Sequence, residues 1–355
     1  MKDSMRRPTF AAAVIAAAVL VPSILFAYVG GWLSGQRLTP QSYLRVFQED
    51  GAHYPGLRSN HAQGICVAGS FQSSGQASRY SIAQVFQPGA LTPVLGRFSI
   101  PGPNPAAPDS STPARGMALL FRQKDGEQWR TAMLNAPVFS VNTPRAFYDL
   151  LEAQRPDPRT GKPDLAKIAD FRRAHPDSAG FFRWAAATQP SHSYATQAYN
   201  SLDTFYLIDK AGARTAVRWR FESLNAPSAL AAQGDTPPLY LSRDIARRLA
   251  QGPLHWRLLL ILGARDAPTL ATIAWPAQRP EVDAGTLTLT SATSQATGAC
   301  RDVNFDPTVL PRGMVVSSDP LLAARSAIYA ASYLLRTSQE AKFPRARTVI
   351  WPSAQ

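Results

Sequence analysis

The sequence predicts an α+β protein: a mostly antiparallel sheet or barrel with flanking helices, preceded by one transmembrane helix. Three observations carry this. Residues 8–36 hold no charge. Seven later runs alternate in polarity or are rich in β-branched and aromatic residues, and four have helical spacing with helix-starting residues at their heads.

The N-terminal element follows from length and charge. Lys2, Arg6 and Arg7 precede an apolar run longer than the roughly 20 residues a bilayer requires. A cleaved signal has an apolar core of about 7–15 residues and a small-x-small cleavage site. "SILFAYVGGW" matches that site poorly, so an uncleaved anchor is expected. Pro22 is tolerable in a membrane helix, and the run has no polar face of the kind a buried soluble helix would show. The positive-inside rule keeps residues 1–8 in the cytoplasm and carries the chain beyond about Leu38 across the membrane. In a bacterium this gives a single-pass inner-membrane protein whose large domain is periplasmic. The expected organisation is therefore 1–37 as stub and anchor, and 38–355 as one domain.

Strands are expected over 64–71, 92–100, 116–121, 204–209, 215–221, 256–262 and 286–290. Helices are expected over 144–154, 163–175 and 242–251. The last helix starts at Ser318, Asp319 and Pro320 and runs through alanine and leucine to about Ala341. Residues 99–116 form a Pro/Gly/Ser-rich loop. No internal repeat and no long polar linker divides residues 40–340, which supports one domain.

Composition narrows the function classes. The chain has 355 residues, 45% apolar, a net charge of +13 and a pI near 10.1. Only six of its 37 basic residues are lysine, and the arginines are scattered singly, which argues against a nucleic-acid partner. Cys66 and Cys300 fit no metal-ligand spacing. One disulfide is open to them, but the strand-like run Ile65-Cys66-Val67 favours two separate apolar thiols.

Three features bear on chemistry. His61 precedes the first strand, beside Asn60 and three residues after Arg58. Arg325 and Tyr329, at i and i+4 on the last helix, share a face, where a cation favours the phenolate. A tyrosinate can serve as an axial ligand to haem iron. Arg58, Arg97 and Arg336 have no acidic neighbour in sequence, and buried arginines without carboxylates require an anion, for which haem propionates would serve.

Together these features resemble the haem-dependent catalase family, in chain order over most of residues 55–340. "RSNHAQG" is similar to the family's Arg-x-x-His-Ala-Lys-Gly, with Gln63 where lysine is usual, and "GRFS" (96–99) to its Val-Arg-Phe-Ser. "PARGMALLF" (113–121) and "NAPVFSVNTPRAF" (135–147) resemble its Pro-Arg-Gly-Phe and Asn-x-Pro-x-Phe blocks. "FDPTVLPRGMVVSSDPLLAARSAIYAASYLLR" (305–336) resembles its proximal segment, with Arg-x-x-x-Tyr and an arginine seven residues on. The shortened chain resembles the small catalase-related peroxidases within the family.

The resemblance implies a catalase-like barrel with haem, expected as haem b, between barrel and C-terminal helix. It implies His61 as distal acid-base group, Ser99 orienting it, and Asn135 as distal amide, with Leu134 where a first asparagine is usual. Tyr329 would be the axial iron ligand, kept as phenolate by Arg325. Arg58, Arg97 and Arg336 would hold the propionates, Phe147 would stack on the porphyrin and Phe139 would line the distal side. Asn60, where valine is usual, would make the distal pocket more polar. These departures and a less enclosed haem favour a peroxidase that reduces H2O2 or organic hydroperoxides with a small organic reductant, with weak residual catalase activity. Two alternatives keep the haem: rearrangement of fatty-acid hydroperoxides without a reductant, and a non-catalytic haem sensor. Homo-oligomerisation is left open.

Overall fold

The structure, a computed structural model, describes residues 6–29, 38–49, 54–157, 159–227 and 238–342. The chain divides into two units, Met1–Ser42 and Tyr43–Gln355. The first contains α1 (Arg6–Val29), whose stretch Ala12–Val29 is long and apolar enough to cross a membrane and is wholly unburied.

The second unit is built on ten strands: β1 (Gly64–Ser73), β2 (Leu91–Ser99), β3 (Gly116–Arg122), β4 (Gln128–Leu134), β5 (Tyr199–Asn200), β6 (Phe205–Ile208), β7 (Arg214–Ser223), β8 (Leu254–Leu262), β9 (Glu281–Ser294) and β10 (Met314–Val316). Eight of them run in the order β7-β5-β4-β3-β2-β1-β9-β8, and β8 returns to pair with β7, closing an antiparallel barrel. β6 continues from β7, and β10 pairs with β6. Closure pairs the edge strands that an open sheet would leave exposed.

Alternation along the strands fills the barrel with side chains. Ile65, Val67 and Phe71 from β1 meet Val94 and Phe98 from β2, Met117, Leu119 and Phe121 from β3, and tryptophans from three further strands. Phe121 stacks on Trp129 at 4.5 Å between ring centroids, and Trp219 meets Trp129 edge-on at 5.1 Å. The indole of Trp219 donates to Thr131 at 3.1 Å, so even its polar atom is satisfied within the core.

The opposite strand faces carry different chemistry. Cys66, Leu95, Ala118 and Leu120 lie beneath a returning loop that contributes Cys300, Val303 and Phe305. Cys66 and Cys300 form a disulfide, with Cα atoms 5.4 Å apart. The expectation of two free thiols is therefore corrected. Cys66 does have the apolar surroundings that suggested packing, but the fold brings a partner from 234 residues away onto the same outer face.

Helices α2 (Pro40–Glu49), α3 (Pro144–Gln154), α4 (Leu165–Ala174), α5 (Ala179–Ala187), α6 (Leu241–Gln251) and α7 (Pro320–Lys342) complete the chain. Thr143 caps α3 through the Ala146 amide, and Asp164 caps α4 through Ala166. Asp319 accepts from Leu321 at 2.9 Å just ahead of α7. All seven expected strands and all four expected helices form, α3 with the expected ends and the others with one or both ends shifted. Those not anticipated are α2, α5, β4, β5 and β10. β4 places the polar Thr131 at a buried position between Trp129 and Met133, which hides its alternation, and β5 and β10 span two and three residues.

Candidate functional site

His61 sits just before β1 with a φ of 54°, in the left-handed region that non-glycine residues seldom occupy. Such a conformation costs on the order of 1–3 kcal/mol and persists only where its surroundings enforce it. Here Asn60 enforces it. Its Oδ1 accepts from the His61 and Gly102 amides, each at 2.8 Å, while Arg97 donates to the His61 carbonyl at 2.7 Å. The resemblance implies that Asn60 adds polarity to a distal pocket; its carbonyl oxygen is engaged by two backbone amides.

The imidazole is held as firmly. Nδ1 lies 3.0 Å from Ser99 Oγ at the end of β2, a contact that uses one ring nitrogen and leaves Nε2 for other work. Gly116, paired with Ser99 across β2 and β3, clears the space. A Cβ there would stand 2.9 Å from Ser99 Oγ and 3.2 Å from His61 Cε1. Burial, then the charges of Arg97, Arg325 and Arg58, push the His61 pKa down to about 3, so the ring is neutral at ordinary pH.

Arg58, Arg97 and Arg336 are brought into one another's field, and none makes an ion pair among the described residues. Arg97 reaches Gln295 Oε1 at 2.6 Å from Nη2, and Gln295 in turn donates to the Ala62 carbonyl at 2.8 Å. Arg58 Nη2 donates to the carbonyls of Val303 at 2.8 Å and Cys300 at 3.1 Å. Arg336 on α7 is buried, and its Nε has no partner. Burial and then the other two arginines pull Arg58 well below its ordinary value. Clustered cations that form no ion pair among the described residues, one buried with an orphaned N–H, suit a dianionic group such as a pair of haem propionates.

α7 also carries Arg325 and Tyr329. The Arg325 guanidinium lies 5.9 Å from the Tyr329 ring centroid, donates to the Ala132 carbonyl at 3.1 Å, and forms an ion pair with buried Asp203. Burial pushes Asp203 up, and burial together with Asp203 raises nearby Asp319 to about 6. Asp203 and Gln295 escaped the sequence reading because each lies over 100 residues from the group it supports, in no pattern of its own.

Phe139 and Phe147 are half-buried, 5.8 Å apart, against a small apolar cluster containing Val141, Leu150, Phe171 and Leu321. Asn135 has a different setting from its expected role. Its Oδ1 accepts from the Arg115 amide at 2.8 Å, and its Nδ2 donates to Pro113 O at 3.1 Å and Gln197 Oε1 at 3.0 Å. Both amide hydrogens are thus occupied by protein acceptors, and the side chain braces the approach to β3 rather than standing free as a distal donor.

Comparisons with known proteins bear on family and fold. A family model described as Catalase matches residues 55–343. A catalase-related peroxidase of Synechococcus elongatus is 38% identical over 326 residues, 91% of this chain and 95% of the relative. One from Mycolicibacterium paratuberculosis is 32% identical, covering 84% and 95%. A solved bacterial catalase superposes with a TM-score of 0.71 at 22% identity over 85% of this chain, and catalase A of Saccharomyces cerevisiae with 0.71 at 20% over 81%. The chain spans only 62% and 63% of those two structures, against nearly the whole of the two peroxidases.

Proposed function

The chain belongs to the catalase family and is a peroxide-acting haem oxidoreductase, and from that premise we propose that His61, Ser99 and Tyr329 form its reaction centre, with organic reductants closing the cycle. The single observation that best supports the reading is the neutral, part-buried His61 held through Nδ1 by Ser99, with a cluster of arginines beside it that forms no ion pair among the described residues. Haem, taken to be haem b, supplies when bound the electrons that cleave the O–O bond.

The chain's own residues handle binding and protons. Ser99 accepts from Nδ1–H, so Nε2 presents a lone pair and takes the proton from one peroxide oxygen. His61 then returns that proton to the other oxygen, and water or an alcohol leaves. Tyr329 would hold the iron through its phenolic oxygen, and Arg325, tied to Asp203, stands over its ring as a fixed positive charge. Arg58, Arg97 and Arg336 would hold the propionates, and Phe147 and Phe139 would pack against the porphyrin. Asn135 serves as a brace for β3, so peroxide positioning rests on His61 and weak catalase activity is expected beside the peroxidase reaction.

Location is part of the proposal. Residues 1–37 act as an uncleaved inner-membrane anchor and 38–355 as the haem domain in the periplasm. The disulfide supports this, because disulfides persist in oxidising compartments and are rare in the cytosol. Reconstitution with haem tests the site: the wild type oxidises a phenolic dye faster than it releases O2 from H2O2, and Tyr329→Phe changes the ferric spectrum. An unchanged spectrum in that variant removes Tyr329 as the ligand.

A further inference from the structure

We propose that the Cys66–Cys300 disulfide is a clamp that positions Arg58, Arg97 and Arg336 around the propionates; this rests on the haem reading above. Cys66 pairs directly with Arg97 across the β1–β2 ladder. The carbonyl of Cys300 accepts from Arg58, as does that of Val303 three residues on. Arg301, the next residue after Cys300, forms an ion pair with Glu340, one turn beyond Arg336 on α7. One covalent bond therefore joins the strand that faces Arg97, the loop that holds Arg58 and, through one ion pair, the helix that carries Arg336.

The cluster needs such a restraint. Arg97 and Arg336 are buried and Arg58 part-buried, none forms an ion pair among the described residues, and Arg97 and Arg336 both act as like charges on Arg58, so repulsion between them acts to separate the barrel wall, the loop and α7. The ladder ties β1 to β2 but does not reach the loop at Cys300. Glycine at 298 allows the close approach, since a Cβ there would lie 2.7 Å from Cys66 Sγ. The bond is fully buried, with Cys66 and Cys300 at 1% and 0% exposure, so it persists as part of the site's wall.

The test compares haem with its dimethyl ester, which lacks the propionate charges, by transfer of each porphyrin to excess apomyoglobin. Wild-type protein is expected to retain haem about tenfold longer than the ester, the effect of charge-assisted contacts. In Cys66→Ala/Cys300→Ala that ratio falls toward one, while Leu287→Val, a destabilising change inside the barrel, keeps the wild-type ratio. A ratio unchanged in the double variant, or one equally reduced by Leu287→Val, overturns the clamp. If the double variant does not fold, wild type reduced with a phosphine in low urea decides the matter: the ratio must fall on reduction and return on reoxidation. Failure of wild type to bind haem at all would count against the proposed function, a result distinct from either of these.

Discussion

His61 combines a strained backbone, a single side-chain partner and a depressed pKa, and each has a measurable consequence. Removing the imidazole in His61→Ala should lower kcat/KM for peroxide by about 10²–10⁴-fold, the usual contribution of a positioned acid-base group, with haem loading retained. Rapid-mixing kinetics check this, and wild-type turnover in the variant would exclude the role. The pKa gives a second expectation. The folded-state value lies below the unfolded one, so below about pH 6.5 the unfolded chain takes up a proton that folded His61 refuses until about pH 3. Stability from this residue is present above that window and is lost as pH falls through it, at up to about 1.4 kcal/mol per pH unit. Urea titrations at pH 6.5 and 4.5 should show a shallower decline for His61→Gln than for wild type. Ser99→Ala should leave the ring without its Nδ1 partner and reduce kcat more than KM, because tautomer and orientation act on proton transfer rather than on peroxide binding.

At the scale of elements, the site is made where strand ends meet. β2 delivers Ser99, β3 begins at Gly116, and the turn ahead of β1 delivers His61, so three segments converge within one ladder step. A methyl at Gly116 would press on both Ser99 Oγ and the imidazole. Gly116→Ala should therefore cost roughly 1–3 kcal/mol as overpacking does, and depress kcat as strongly as Ser99→Ala. Thermal melts and steady-state kinetics on the same preparation separate the two effects. The strands and helices were legible in the sequence because period and start signals are local: α3 begins and ends where its proline start and spacing place it. What could not be read was long-range. Nothing near Cys66 announces Cys300, nothing in "NSLDTF" announces that Asp203 will meet Arg325, and nothing beside Asn60 announces its bond to Gly102. His61, Ser99 and the arginines were found through motifs spread along the chain, whereas their supports lie on segments with no motif.

Across the whole molecule, the proposed placement in the periplasm rests on two features, the disulfide and the basic-then-apolar N-terminus. The two features are independent, since one is read from the fold and the other from residues 1–37. Closing a loop of this length contributes on the order of 2–5 kcal/mol, so the compartment in which the domain folds bears on whether it survives at its working temperature. If Lys2, Arg6 and Arg7 hold the N-terminus in the cytoplasm, replacing all three by glutamate removes the charge bias that sends the rest of the chain outward. In the full-length wild-type chain made in a bacterium, thiol alkylation under denaturing conditions should label neither cysteine until a reductant is added. In the Lys2→Glu/Arg6→Glu/Arg7→Glu chain a substantial fraction should remain inside, and both Cys66 and Cys300 should be labelled without reduction. That retained fraction should also melt roughly 5–15 °C lower, in keeping with the loss of the cross-link from a large domain. Equal labelling of the two chains would break the connection between the charge cluster and the disulfide, because the oxidising environment would then be reached by a route the N-terminus does not control.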